Sequence, residues 1–221
     1  MISTVLILIP VYNGEQTLSE LVGRIRRVTQ MPILVVNDGS TDSTQTVAEA
    51  AGVELISFPK NRGKGAALRA GFKYAVEHEF GAVITLDADL QHLPEEIPLF
   101  LERHDEKSIL IGTRAITREL MPFGRWVSNN WTSAIVSVFS CGRMRDSQSG
   151  YRLIPTTVLK SLNLNSDRYD LESELLFKAG ALHVSVREVP VSTVYRDSPS
   201  HIAPLRDTGR FIRQTWKRIW L

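Results

Sequence analysis

Cysteine is almost absent: Cys141 stands alone, so no disulfide can form within the chain, and a reducing compartment is expected. Glycine and proline are few, 14 and 10 among 221 residues, which excludes collagen-like and low-complexity classes. Long apolar runs are missing too. No stretch approaches the roughly 18 residues of a membrane-spanning helix. Met1-Ile2-Ser3-Thr4 has no basic leader, and the apolar run behind it stops at Pro10. A cytosolic protein, or one attached to a membrane from the cytosolic side, is therefore expected.

What is present suffices for one full core, with 43% hydrophobic residues. The net charge of +2 conceals an uneven distribution. Residues 205–221 hold five cations (Arg206, Arg210, Arg213, Lys217 and Arg218) against Asp207, leaving the body slightly acidic. A basic tail on an acidic body calls for an anionic, local partner. On a helical wheel Leu205, Ile212, Trp216 and Ile219 share one face beside the cations, the pattern of an in-plane interfacial helix. Nucleic acid is not expected, because the acidic body opposes it.

Val5–Ile9, Ile33–Val36, Val53–Ile56, Ala82–Leu86 and Ile109–Ile111 are short, apolar and bounded by polar turns, as buried strands are. Thr17–Val28, Ser43–Ala51, Gly65–His78 and Glu95–Arg103 have helical spacing between them. This alternation predicts an α/β protein: a largely parallel central sheet with helices on both faces. Further on, Phe123–Ser140 is amphipathic, Tyr151–Ile154 and Val184–Val189 suit strands, and Leu171–Ala179 suits a helix.

Three strand ends carry chemistry. Ile9-Pro10-Val11-Tyr12-Asn13-Gly14-Glu15 leaves the first strand; Pro10 is expected to stop the ladder and Asn13-Gly14 to turn the chain. Asn37-Asp38-Gly39-Ser40-Thr41-Asp42 leaves the second. Ser40 or Asp42 can cap the next helix, and Asp38 is a candidate reader of a base through ring N–H groups. Asp87-Ala88-Asp89, followed by Leu90-Gln91-His92, ends the fourth. Paired carboxylates suit Mg²⁺ or Mn²⁺ held jointly with substrate phosphates. Between these lies Pro59-Lys60-Asn61-Arg62-Gly63-Lys64-Gly65, a glycine- and cation-rich turn before a helix, suited to an anion. It matches neither a P-loop nor a dinucleotide fingerprint.

Pro-Val-Tyr-Asn, Asn-Asp-Gly-Ser-Thr-Asp, Asn-Arg-Gly-Lys-Gly and Asp-Ala-Asp-Leu-Gln-His in this order resemble the family 2 inverting glycosyltransferases of A-type fold. The likeness is strongest to the dolichol- and polyprenyl-phosphate sugar transferases. It runs from about Val5 to Asp146 and more weakly to Arg206.

The resemblance implies a three-layer fold, with a nucleotide-sugar half at 1–113, an acceptor half at 114–204 and an interfacial helix at 205–221. It implies that Pro10, Tyr12, Glu15 and Asp38 hold the nucleotide of a GDP- or UDP-sugar. Asp87, Asp89 and Gln91 would hold Mg²⁺ or Mn²⁺ and the diphosphate. Gly63, Lys64, Gly65 and Ala88 would complete the donor side. Arg114, Arg125 and Ser128 match the positions that bind a lipid phosphate, and Asp89, Arg114 and Arg125 are expected beside the reacting groups. Arg196 and Ser200 match a segment near the diphosphate, although His201 replaces a lysine of that segment. Many relatives carry spanning helices, which leaves room here for a separate membrane protein as partner.

A phosphate acceptor alters the chemistry required. With a second pKa near 6 it is already nucleophilic at neutral pH and needs no base. A hydroxyl acceptor on a glycan or lipid would need one, for which Asp146, Glu172 and Glu174 are the candidates. A sugar-nucleotide-binding protein without turnover is the remaining alternative.

Overall fold

The computed structural model describes residues 4–114, 146, 149–167 and 171–192. Seven strands form one sheet: β1 (Val5–Val11), β2 (Ile33–Asn37), β3 (Glu54–Ser57), β4 (Ala82–Thr85), β5 (Ser108–Arg114), β6 (Arg152–Pro155) and β7 (Ser185–Val191). Their order is β3-β2-β1-β4-β6-β5-β7. The helices are α1 (Leu18–Val28), α2 (Thr44–Ala50), α3 (Lys64–Glu77), α4 (Ile97–Arg103), α5 (Thr156–Ser161) and α6 (Leu171–Ala181).

β1 is buried along its whole length because layers lie on both of its faces. Its side chains alternate between them. Val5, Ile7, Ile9 and Val11 join a core with Leu18, Leu21 and Ile25 of α1 and Phe100 of α4. Leu6 and Leu8 join the opposite core with Phe72 of α3, Val158 of α5 and Leu175 of α6. The three-layer α/β architecture is thus as expected. α3 approaches β1 unusually closely at Gly71, where an added Cβ would lie 2.2 Å from Leu8 Cδ1.

The sheet is largely parallel, as expected; β6 runs antiparallel to both β4 and β5. One expectation needs correction: Pro10 does not end β1, for it pairs in register with Val36, and Val11 with Asn37. Pairing with β4, in contrast, extends only to Leu8 and Thr85, followed by the Leu86 N–H to Leu8 carbonyl bond. Alternate residues of a strand bond to opposite neighbours, so Pro10 lacks its N–H on the β4 side, where the pairing stops, and leaves the β2 side intact.

β1 therefore has β2 and β3 on one side and β4 on the other. This reversal of strand order is the switch point at which open α/β sheets bind ligands, beyond the carboxyl ends of the strands.

Candidate active site at the switch point

The loops after β1, β2, β3 and β4 all leave the same end of the sheet. The first two are joined by reciprocal hydrogen bonds. Asn13 N–H donates to Ser40 Oγ at 2.9 Å, and Asn13 Oδ1 accepts from Thr41 N–H at 2.9 Å. Gly14 N–H donates to Thr44 Oγ1 at 2.8 Å. Glu15 accepts from Ser43 N–H at 2.9 Å, while its own N–H reaches Asp42 Oδ2 at 3.2 Å. Of the two expected caps, Asp42 bonds the first helical N–H, of Thr44, at 3.0 Å; Ser40 instead serves the first loop. Asn13 adopts the left-handed conformation expected of a turn asparagine (φ 54°). Pro10 is buried, and Tyr12 stands out at 49% exposure.

Asp38, buried at 3% exposure, fastens the third loop. Its Oδ1 accepts from Arg62 N–H at 2.7 Å and its Oδ2 from Gly63 N–H at 2.8 Å. Both carboxylate oxygens thus bind protein, with lone pairs remaining for a further donor. The close pass requires Gly39: its φ is +67°, and a Cβ there would lie 2.2 Å from the Lys60 carbonyl carbon.

The cations of the third loop part company. Lys60 is exposed. The Arg62 guanidinium lies over the Phe58 ring, 4.8 Å from its centroid. Lys64, the first residue of α3, turns inward: its Nζ lies 2.6 Å from Asp87 Oδ1 and 3.0 Å from Glu172 Oε1. Burial disfavours this ammonium, yet Asp87 and Glu172 outweigh it and raise its pKa well above the ordinary range. Gly65 behind it is buried.

Asp87 is gripped by packing as well as by charge. A Cβ on Gly150 would come within 2.4 Å of Oδ2 and 2.9 Å of Oδ1. Thr85 Oγ1 fixes the Gly150 carbonyl by donating to it at 2.7 Å. Arg152, 2% exposed, lies in the same charge cluster. Its Nε donates to the Ser149 carbonyl at 2.8 Å and its Nη1 to the Glu172 carbonyl at 2.8 Å. Burial lowers the Arg152 pKa, against Glu172, Asp146 and Asp87, which favour the cation. Asp146 is fully enclosed.

Asp89 differs. It is exposed by area, but its carboxyl loses hydration beside the protein, and Asp87 repels it, so its pKa is raised. Its Oδ1 accepts from Gln91 N–H at 3.0 Å. Asp87 shifts the other way: burial opposes its charge, but Lys64 holds it below the usual carboxylate range. Leu90, between Asp89 and Gln91, is buried and left-handed (φ 59°), a conformation that costs a non-glycine residue about 1–2 kcal/mol. Beyond it His92 packs against Tyr151, at 5.3 Å between ring centroids, and Tyr151 stacks on Phe100 at 4.3 Å. The aspartate loop is thereby anchored to the core.

Among the described residues, no group of three or more His, Cys, Asp or Glu side chains could by itself hold a metal. Two carboxylates that repel one another, one already attracting an ammonium, nonetheless suit a hard cation that takes its remaining ligands from phosphate. Gln91, half-buried beside Asp89, suits it equally.

Arg125, Ser128, Arg196 and Ser200, the expected amphipathic segment at 123–140 and the basic helix at 205–221 lie outside the described residues, as does the side chain of Arg114. Two residues of this end were not anticipated. Gly150 could have been suspected as a small residue just before a strand, and Arg152 as a charge at the start of an apolar one.

The family model "Glycosyl transferase family 2" matches residues 6–160. The chain belongs to that family. Among curated family 2 relatives, the polyprenol monophosphomannose synthase of Mycolicibacterium smegmatis is 32% identical, over 87% of this chain and 78% of that protein. The UDP-N-acetylglucosamine–dolichyl-phosphate N-acetylglucosaminyltransferase of Methanococcus voltae is 29% identical, over 86% of each. Among solved structures, glucosyl-3-phosphoglycerate synthase from Mycobacterium tuberculosis, crystallised with Mn²⁺, uridine diphosphate and glucosyl-3-phosphoglycerate, superposes with a TM-score of 0.73. That match covers 96% of this chain and 77% of that one at 21% identity, a likeness of fold. The protein is a glycosyltransferase with a family 2 fold.

Proposed function

We propose that the chain moves a hexose-type sugar from a GDP- or UDP-sugar to a polyprenyl phosphate, with inversion, at the cytosolic face of a membrane. The observation that carries this reading is the convergence of Asp38, the Lys64 loop and Asp87 at the switch point. Support for a lipid acceptor comes from the relatives, one named for polyprenol and one for dolichyl phosphate. Among the described residues no helix is long and apolar enough to cross a membrane.

In this reading Asp38 and the first loop hold the nucleotide beside Pro10, Tyr12 and Glu15. Asp87, Asp89 and Gln91 hold Mg²⁺ or Mn²⁺ together with the diphosphate, with Gly63, Lys64, Gly65 and Ala88 alongside. The bound ion would supply neutralisation of charge on the departing nucleoside diphosphate. The protein's own work is then positioning and electrostatics. Arg114, Arg125 and Ser128 orient the acceptor phosphate, and Arg196 and Ser200 attend the diphosphate. The phosphate attacks the anomeric carbon without a protein base. Two of the candidate bases are otherwise engaged: Glu172 meets Lys64, and Asp146 is enclosed. Glu174 accepts from Ser166 N–H at 2.8 Å and pairs with Lys178 at 2.7 Å.

The test is a panel of UDP- and GDP-sugars with Mn²⁺ or Mg²⁺ and a short polyprenyl phosphate, followed by mass spectrometry of the lipid. A glycosyl phospholipid is expected. Sugar attached only to hydroxyl acceptors would overturn the reading.

A further inference from the structure

Lys64 occupies ground that the proposed metal needs. Its Nζ is 2.6 Å from Asp87 Oδ1, and Glu172 steadies it from the other side at 3.0 Å. Asp87 sits tightly against Gly150, where even a methyl group would strike both carboxylate oxygens. The backbone before Lys64 is equally fixed, with Arg62 and Gly63 N–H bound to Asp38. The N–H of Ala66 after it is bonded to the Asp167 carbonyl at 3.0 Å. Only the lysine stem is free to rearrange, through its four rotatable bonds. A divalent ion held by Asp87 would share that carboxylate with the ammonium, and two cations so close repel one another. The two therefore compete for Asp87.

We propose that Lys64 is the cation that holds Asp87 before the donor binds, seated there by Glu172, and that the divalent ion gains Asp87 only as the donor diphosphate draws the ammonium away. The exchange rests on the metal-and-diphosphate reading above. The free protein holds the ion weakly, because the ion must expel a paired ammonium that has no new partner. The ion–nucleotide pair brings that partner with it: diphosphate oxygens beside the amino end of α3, where Lys64 begins the helix. Each ligand therefore strengthens the other, as linkage requires. When Lys64 leaves, the Glu172 carboxylate keeps the positive charge of Arg152 nearby.

Mn²⁺ binding measured by electron paramagnetic resonance, with and without UDP or GDP, tests the exchange on the full-length protein. Wild type should bind Mn²⁺ weakly alone and at least about tenfold more tightly with its preferred nucleotide. Lys64→Met should bind Mn²⁺ alone about tenfold more tightly than wild type and gain less from nucleotide. Lys64→Arg, which keeps the charge, should behave as wild type. Should the methionine variant fail to fold, Lys64→Gln gives the same comparison while retaining a hydrogen-bond donor. Neutral variants that bind Mn²⁺ alone no better than wild type, while nucleotide still promotes binding, would overturn the exchange and leave the metal site standing. Mn²⁺ binding in none of the samples would overturn both.

Discussion

The first and second loops are bound to each other by short side chains on backbone groups: Asn13 with Ser40 and Thr41, Gly14 with Thr44, Glu15 with Ser43. The backbone of the third loop is fastened in the same way by Asp38, but its lysine is bound to the β4 loop and α6 by charges, Lys64 with Asp87 and Glu172, backed by Arg152. Short directional bonds define one geometry and lose their value when stretched. Charges on a long stem can exchange partners at little cost in geometry. One side of the switch point is thus a fixed frame, and the other is a set of charges able to answer a ligand.

The sharpest test of that contrast falls on Asp89. Asp89→Ala should lower transfer by about a thousandfold or more. Its unfolding midpoint should barely change, since the lost carboxylate is exposed and repelled by Asp87. An equal loss of stability and turnover would make Asp89 part of the frame. Gly150→Ala comes next. The added methyl must displace Asp87, and a misplacement near 1 Å costs about a hundredfold in kcat/KM. Unchanged kinetics would show that Asp87 tolerates movement and is not gripped.

Glu174 probes charge used as frame. Burial opposes its ionisation, but Lys178 and the N–H groups of Ser166 and Asn165 lower its pKa. A lowered carboxylate pKa contributes stability above its ordinary value of 4.5, and this fades as pH falls through the folded value. Glu174→Gln should therefore cost about 1–2 kcal/mol in urea unfolding at neutral pH, and progressively less in acid. A cost independent of pH would reassign the effect to packing. The smallest change belongs to Ser40→Ala, which removes one exposed bond to Asn13. A loss below about 1 kcal/mol is expected, with a few-fold rise in donor KM and kcat held.

The strands were legible because burial on both faces leaves uninterrupted apolar runs, as in Val5–Ile9. The direction of β6 was not. Its four residues alternate between faces equally well whichever way they run, and direction is decided by where the preceding connection enters the sheet. At the site, the aspartates at strand ends were legible through their position after apolar runs. The task of Lys64 was not: a lysine among glycines suggests an anion, and its carboxylate partners lie on β4's loop and on α6, distant in sequence. Asp38 was half legible. Its place at the strand end is where a ligand group belongs, but its service to the backbone of Arg62 and Gly63 depends on how the third loop folds over Gly39.

Pro10 has a consequence for the rim between β1 and β4. An ordinary residue there would offer an amide hydrogen toward β4 just past the Leu86–Leu8 bond, at the open end of the pairing, a foothold through which water could unzip the seam from its mouth. The imino ring withholds that foothold and holds φ near −65°. The mouth of the seam is therefore shaped by covalent structure before any ligand arrives, and fraying from that edge has no amide of β1 at which to begin.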